Sequence, residues 1–339
     1  MMCKRTRKNI FSIIISITIL ASSVLYLSSC SPTYPKEKLP EAIKEILKGE
    51  YGMDVDVAVA GTTLGIYHPM KGLLDISLGI SEKAWDQISN LILVASRIVL
   101  STDADIKFYC VIAQDERLPE MQIVIIKYVN DVKRGMLRSI GRSESFKRTL
   151  FSLNLTPQAR KERSVEQVFD KMGLAEDTRE GVLNEFFRAS PSKLSDMGYW
   201  RGHFYLKDIT LREFLAAQIA NRIKIDFGED EKLSALYEFQ SVEGYFSSRP
   251  GDNAFVVKFK IFDQSKPGEE EKLRAKKIEK IMQITNEVVN GYEFKEFDVL
   301  EMEDQLENIK LWITVEDVCN YSSGQVPIED IVKASGKYF

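Results

Sequence analysis

The chain has 339 residues, of which 44% are hydrophobic and 28% charged, and its formal net charge is -4. This near-average composition excludes an intrinsically disordered chain and predicts a globular body of two or three modules. The overall acidity argues against a nucleic-acid partner, because proteins that bind nucleic acids are generally basic.

The N-terminal segment has the pattern of an export signal. Four basic and no acidic side chains precede Asn9, and an uncharged, largely apolar run then extends from Ile10 to Leu27. A positive segment followed by an apolar one is typical of a secretory signal peptide. An uncleaved membrane anchor is the alternative, because eighteen uncharged residues approach the length that spans a bilayer.

The apolar run ends in the letters LSSC at residues 27–30, which resemble the lipobox of bacterial lipoproteins. The resemblance covers only this N-terminal segment. It implies that residues 1–29 are removed, that Cys30 is lipidated, and that the protein is exported and anchored to a membrane. Ser31 after the cysteine implies the outer membrane, facing the periplasm, in a bacterium with two membranes. Several acyl chains give stable attachment.

The residues after the anchor predict a tether and then a first α+β module. Residues 30–40 contain three prolines, which predict an extended tether. Residues 41–135 form the expected module, in which Ser81 is a predicted helix N-cap. The elements expected in chain order are a helix at 40–48, two strands around Gly61, a helix ending near Ser101, and a hairpin of strands at 106–113 and 122–129.

Residues 136–245 predict a helical connector between two modules. Capping boxes are predicted to begin at Ser164 and at Thr210. The connector also contains an aromatic run at residues 199–205, which suits binding of a small ligand or a glycan, or else a packed strand or turn. The candidate ligand-binding residues in this run are Tyr199, Trp200, Arg201 and His203.

A basic segment spans residues 127–163, with ten basic and three acidic side chains. One interpretation is a surface that meets anionic lipid or an acidic partner. The interpretation that we favour is a solvated helix face whose charges complement the acidic residues at 296–307.

Residues 246–339 predict a second α+β module with the same order of elements as the first. We expect a strand at 255–262, a helix at 269–290, and a hairpin of strands at 294–303 and 309–318. Corresponding elements lie about 190 residues apart, which suggests a duplication. The expected fold class is therefore α+β, with two strand-helix-hairpin modules separated by the connector. Each module is expected to be a three-stranded, largely antiparallel sheet with a helix on one face.

The remaining cysteines and the histidines restrict the chemistry. Cys110 and Cys319 are a candidate disulfide in an oxidising compartment, or else two ordinary small hydrophobic residues. The chain has only His68 and His203, which excludes a histidine metal cluster, and we expect no cofactor.

The carboxylates of Asp103 and Asp105 are candidates for cation binding or acid–base chemistry, although the same residues suit a turn. The sequence contains no nucleophile elbow, phosphate-binding loop or dinucleotide fingerprint. We therefore expect a non-enzymatic lipoprotein that assembles or tethers a multiprotein envelope system, with the membrane and envelope proteins as its partners. The alternative is a lipoprotein that binds a small ligand or glycan through residues 199–205.

Overall fold

The computed structural model describes residues 34–75, 79–173, 191–264, 268–322 and 324–338, with isolated residues between 175 and 183. These residues form an α+β protein with three β-sheets and ten α-helices. The helices are α1 (Leu39–Tyr51), α2 (Glu82–Val99), α3 (Val129–Met136), α4 (Arg142–Lys147), α5 (Pro157–Met172), α6 (Leu211–Glu229), α7 (Glu231–Ser234), α8 (Glu270–Gly291), α9 (Val315–Ser322) and α10 (Ile328–Ser335). The strands are β1 (Asp56–Ala60), β2 (Thr63–Met70), β3 (Phe108–Asp115), β4 (Met121–Tyr128), β5 (Leu150–Leu155), β6 (Gly198–Trp200), β7 (His203–Tyr205), β8 (Tyr237–Arg249), β9 (Asp252–Asp263), β10 (Val299–Asp304), β11 (Ile309–Thr314) and β12 (Gly336–Tyr338).

The two large sheets have the same strand order and the same pairing pattern. The first contains β1 to β5 in sequential order, and the second contains β8 to β12 in sequential order. In the first, β2 and β3 are parallel and the other neighbours are antiparallel. In the second, β9 and β10 are parallel and the other neighbours are antiparallel. Helices α2 and α8 make the crossovers that the two parallel pairs require.

The first sheet is buried on both faces. Leu64 and Val111 belong to a core formed with α1 and α2. On the opposite face, Phe108 and Ile112 belong to a core formed with α6. Every residue of β3 is buried, as expected for a strand that is covered on both faces and is apolar in both directions.

The second sheet packs one face on helices and turns a charged face outward. Val257 and Phe259 belong to the core formed with α6 and α8. On the other face, the strand registers place four residues of alternating charge in one cross-strand row, where the Lys258 ammonium lies 3.1 Å from the carboxylate of its neighbour on β10. The row consists of Glu243, Lys258, Glu303 and Lys310.

Helix α6 lies between the two sheets. It begins with a capping box, in which Thr210 and Glu213 each bind the other's backbone N–H, as predicted. Phe214 belongs to a core that includes residues of both sheets. At Gly244 of β8 the strand approaches the helix so closely that an added Cβ would lie 2.2 Å from the carbonyl oxygen of Ala216.

We expect the substitution Gly244→Ala to lower the free energy of unfolding by about 1–3 kcal/mol, because the new methyl group overpacks this contact. The control is Gly228→Ala, a helical position with no atom within 4 Å of an added Cβ. That change should raise the free energy of unfolding by about 0.5–1 kcal/mol. Urea unfolding of the purified variants measures both values, and an unchanged Gly244→Ala midpoint would contradict the close approach.

A buried ionic network joins the first sheet to α6 and α8. Arg148 follows α4 and its side chain is 6% exposed. Its guanidinium donates hydrogen bonds to Asp131 at 3.0 Å and to Glu144 at 2.7 Å. Arg222 of α6 also donates to Glu144, at 2.9 Å, and the hydroxyl of Tyr292 after α8 donates to Asp131 at 2.5 Å.

The network depends on the ionised form of Glu144. Burial alone would raise the pKa of this carboxyl, but hydrogen bonds and charges from Arg148 and Arg222 lower it below its ordinary value. A carboxyl whose pKa is lower in the folded state contributes stability above its ordinary pKa, and this contribution is lost as the pH falls through the lowered value.

We expect Arg148→Met to lower the free energy of unfolding by about 3–5 kcal/mol at neutral pH, because it leaves the buried carboxylate of Asp131 without its cationic partner. The matched control is Arg97→Met, which breaks a 3.1 Å pair with Glu50 in which both side chains are about half exposed. The control should change stability by less than about 1 kcal/mol. Equal effects in urea unfolding would show that the buried network does not stabilise the fold.

Each large sheet has five strands rather than the expected three, and the stretch predicted to be helical contains β5 to β8. Strand β5 has six residues and pairs only with β4, so tertiary pairing rather than its own periodicity defines it. The expected helix on one face is likewise incomplete for the first sheet, since helices cover both of its faces.

Tyr34 and Leu39 hold residues 34–40 against the body, in place of the extended tether expected up to Pro40. The backbone N–H of Lys36 donates to the carboxylate of Asp103 at 2.7 Å. Helix α1 begins at Leu39, which is 1% exposed, and has Pro40 in its first turn. Proline is tolerated there because the first-turn N–H groups have no intrahelical acceptor.

Candidate functional site

Two clefts lie on either side of β5, one of the two edge strands of the first sheet. We name them the outer cleft, on the α2 side and of about 700 Å³, and the inner cleft, between the two sheets and of about 490 Å³. Phe151 of β5 and Asn221 and Lys224 of α6 line both clefts. These volumes lie in the range of ordinary ligand pockets.

The outer cleft has an apolar wall with aromatic side chains at its mouth. Trp85 and Phe146 are 41% and 68% exposed, which is high for side chains of this size. The apolar wall consists of Trp85, Ile92, Ile125, Ile140, Phe146, Phe151 and Ile225. The charged residues of the lining are Asp86, Lys127, Arg142, Lys224 and Glu229.

Lys127 differs from the other charged residues of the outer cleft because it is partly buried, whereas the other four are exposed. It follows Ile123 and Ile125 on the same face of β4, where the alternation would place a third apolar residue. Burial lowers the pKa of Lys127, and the negative charge of Asp131 opposes this shift only in part.

The inner cleft is lined by both sheets and by α6. Its apolar residues include Val124 of β4 and Val242 of β8. Its acids are engaged by neighbouring lysines: Glu243 forms an ion pair with Lys193, and Glu213 pairs with a second lysine at 2.5 Å. Burial opposes the charge of Glu213, but hydrogen bonds from this lysine and from its capping box lower its pKa.

Strand β5 separates the clefts and pairs with β4 along one edge only. An outermost strand presents backbone N–H and C=O groups along its other edge. Apolar clefts beside such an edge suit an extended apolar chain or an added strand. The arrangement therefore has the features of a binding groove.

The predicted aromatic run forms a hairpin, β6–β7, that packs on the first sheet. Arg201 and Gly202 have φ of 48° and 80°, as a two-residue type I′ turn requires. Tyr199 stacks on Tyr67 with ring centroids 3.6 Å apart, and its hydroxyl donates to Asp56 at 2.8 Å.

The other candidate residues of the hairpin also contact the chain or solvent. The indole N–H of Trp200 donates to Glu162 at 2.6 Å, and Arg201 forms an ion pair with the same carboxylate. His203 is exposed. These four candidates thus lie together, but neither cleft is lined by them, and the internal contacts favour a packing role.

The candidate disulfide between Cys110 and Cys319 is not formed, since both are free thiols. Cys110 is fully buried in β3, and burial raises its pKa to about 12. Cys319 is exposed on α9. A thiol inside the first sheet and one on the surface near the second do not meet. The lipidation candidate Cys30 lies outside the described residues.

The carboxylates of Asp103 and Asp105 have local roles. Asp103 accepts the backbone N–H of Lys36, and Asp105 lies 3.5 Å from the ammonium of Lys107. Within the described part of the chain, no group of three or more His, Cys, Asp or Glu side chains is arranged to hold a metal ion. In the same residues, no helix is both long and apolar enough to cross a bilayer.

The favoured interpretation of the basic segment is confirmed for the exposure of eight of its ten basic side chains, but it is wrong for Arg148 and for the expected acidic partners. Arg148 is buried in the ionic network rather than exposed on a helix face. The acidic stretch expected to face that segment pairs instead with residues of its own sheet and of α8: Asp304, for example, lies 2.9 Å from Lys277.

No protein family model, curated protein or solved structure matches this chain. The clefts must therefore be interpreted from their own residues. Sequence reasoning missed them, although one signal was present: a lysine on the apolar face of a strand after Ile123 and Ile125.

We expect Gln122→Ala to loosen the hairpin. Gln122 is 2% exposed and its amide binds both backbone groups of Tyr199, with the N–H at 3.1 Å. Loss of these bonds should lower the free energy of opening the hairpin by about 1–3 kcal/mol, because buried backbone groups lose their hydrogen-bond partners. Hydrogen exchange should therefore rise in residues 197–206. The exposed Gln305→Ala serves as control, and equal exchange in both variants would contradict this anchoring.

Proposed function

We propose that the protein is an exported lipoprotein anchored through Cys30 and that it serves as a non-enzymatic assembly or tethering component. In a bacterium with two membranes, its place is the outer membrane, facing the periplasm. Its partners are then the membrane and envelope proteins. The observation that carries the binding role is the groove formed by the outer and inner clefts on the two sides of β5.

The docked N-terminal segment supports close attachment to the membrane. The backbone N–H of Tyr34 donates to the carbonyl of Ser101 at 3.2 Å. Three residues separate Tyr34 from Cys30, and an extended chain spans at most about 3.6 Å per residue. In the proposed lipoprotein, the chain that joins Cys30 to Tyr34 is therefore at most about 15 Å long.

The chemistry of the groove supports binding rather than catalysis. Its walls combine apolar side chains with charged ones, and Trp85 and Phe146 are exposed at the mouth of the outer cleft. Exposed aromatic surface beside a concave apolar wall is typical of contact sites. The carboxylates of Glu213 and Glu243 in the inner cleft each form an ion pair with a lysine. These pairs favour a structural role for both carboxylates.

The common topology of the two large sheets supports an organisation in two modules. We infer that the repeated units include residues 41–135 and 246–339 and extend into the connector predicted at 136–245, which supplies β5 and most of β8. Each sheet starts with a hairpin, crosses over through one helix to a parallel strand, and ends with two antiparallel strands.

The test is crosslinking in cells that produce a tagged full-length protein, followed by solubilisation in mild detergent and mass spectrometry. We expect a fixed set of envelope proteins in constant proportion. Asn221→Trp, which narrows both clefts, should reduce their recovery, whereas Gln305→Trp on an exposed turn should not. Cys30→Ala should lack the lipid mass and leave the membrane fraction.

The assembly role and the lipid anchor can be rejected independently. Recovery of the protein alone would reject the assembly role and leave the anchor standing. An equal mass and equal membrane partition of the wild type and Cys30→Ala would reject the anchor.

A further inference from the structure

The two large sheets differ in whether a buried or partly buried lysine has acidic partners. Lys277 of α8 is 1% exposed and has three acids around its ammonium, including Asp304 at 2.9 Å and Asp263 at 3.0 Å. Burial disfavours its charge, but these carboxylates outweigh the burial and raise its pKa. A buried ammonium with such partners is satisfied within the chain.

Lys127 has no such partners. Among the described residues, no carboxylate lies within 4.0 Å of its ammonium and no side-chain hydrogen bond engages it. Asp131 is the acid whose charge acts on it, but both oxygens of that carboxylate are occupied by Arg148 and Tyr292. A partly buried cation without a partner in the chain is stabilised when a bound molecule supplies an anionic group.

The surroundings of Lys127 indicate what else that anionic molecule contains. The apolar wall of the outer cleft begins beside Lys127 with Ile125 and continues through Phe151 to Trp85 at the mouth. The exposed charges at the rim have both signs, with Asp86 and Glu229 among them. This mixture of charges disfavours the binding of a large polyanion. The partly buried ammonium of Lys127 is then the charge that a ligand would recognise.

We propose that the outer cleft binds a single-chain anionic amphiphile, whose acyl chain lies against the apolar wall and whose carboxylate-like head group pairs with Lys127. This inference rests on the proposed groove and names the occupant of its outer half. The volume of about 700 Å³ is adequate for a molecule of that size. The binding requires no bond to form or break.

The probe is palmitate with a photoactivatable diazirine in its chain, added to the full-length protein in nanodiscs of zwitterionic lipid. After irradiation, mass spectrometry maps the labelled peptides. We expect labelling concentrated in the peptides that contain Trp85–Ile92 or Phe146–Phe151, and competition by palmitate but much less by neutral hexadecanol.

The matched variants are Lys127→Met and Lys276→Met, the latter at an exposed position of α8. Loss of a charge-assisted hydrogen bond weakens binding by about tenfold or more. We therefore expect labelling of the cleft peptides by Lys127→Met to need at least about tenfold more probe, while Lys276→Met behaves as wild type. Ser89→Trp, which fills the cleft from α2 without altering Lys127, provides a second blocked variant if Lys127→Met is poorly folded.

Three outcomes would overturn the proposal. Labels scattered over the surface would remove the site, and equal competition by hexadecanol would remove the anionic head group. Binding that requires anionic lipid in the nanodisc, with no labelling by free palmitate, would identify the occupant as a membrane surface. A stable set of crosslinked envelope proteins alongside scattered labels would keep the assembly role and reject only the amphiphile.

Discussion

The fold depends on the pairing of one buried guanidinium, that of Arg148. A buried charge without a partner is strongly unfavourable, so the segments that supply its partners must come together. Asp131 and Glu144 come from α3 and α4, and Arg222 of α6 shares the carboxylate of Glu144. The close fit extends to Gly291 at the end of α8, where an added Cβ would lie 2.9 Å from the guanidinium. Since β5 begins two residues after Arg148, the same network fixes the strand that separates the two clefts.

Local signals in the sequence predicted local features of the fold. Ser81 and Thr210 cap α2 and α6 as expected, because a cap depends on a few adjacent residues. Ser164 has the same spacing but lies inside α5, which already begins at Pro157, and its hydroxyl donates to the carbonyl of Arg160. Strand β5 was harder to predict, since it is defined by its pairing with β4, from which α3 and α4 separate it in the chain.

The sequence predicted several of the helices and strands that form the candidate site, but not the site itself. The outer cleft is assembled from α2, β4, the segment around α4, β5 and α6, and no sequence pattern specifies how such distant segments converge. The sequence identified the basic segment but not the different environments of its residues. Arg148 is neutralised inside the protein, whereas Lys127 has no acidic partner among the described residues. The aromatic run was recognised as well, yet the partner of the Tyr199 hydroxyl, Asp56, lies far away in the sequence. Burial and pairing, rather than residue type, distinguish the structural charge of Arg148 from the charge that we propose for binding, that of Lys127.

In the proposed lipoprotein, the point where Tyr34 is attached to the body and the outer cleft lie toward opposite ends of α2. Tyr34 is held at Ser101, just beyond the C-terminal end of this helix, whereas Trp85 and Ser89 in its first half line the cleft. A helix of 18 residues is about 27 Å long. Together with the short chain before Tyr34, this places the mouth of the cleft within about 40 Å of the lipid surface. A body held so closely offers its cleft first to molecules at or leaving the membrane, which is where single-chain amphiphiles and membrane-bound partners are both found.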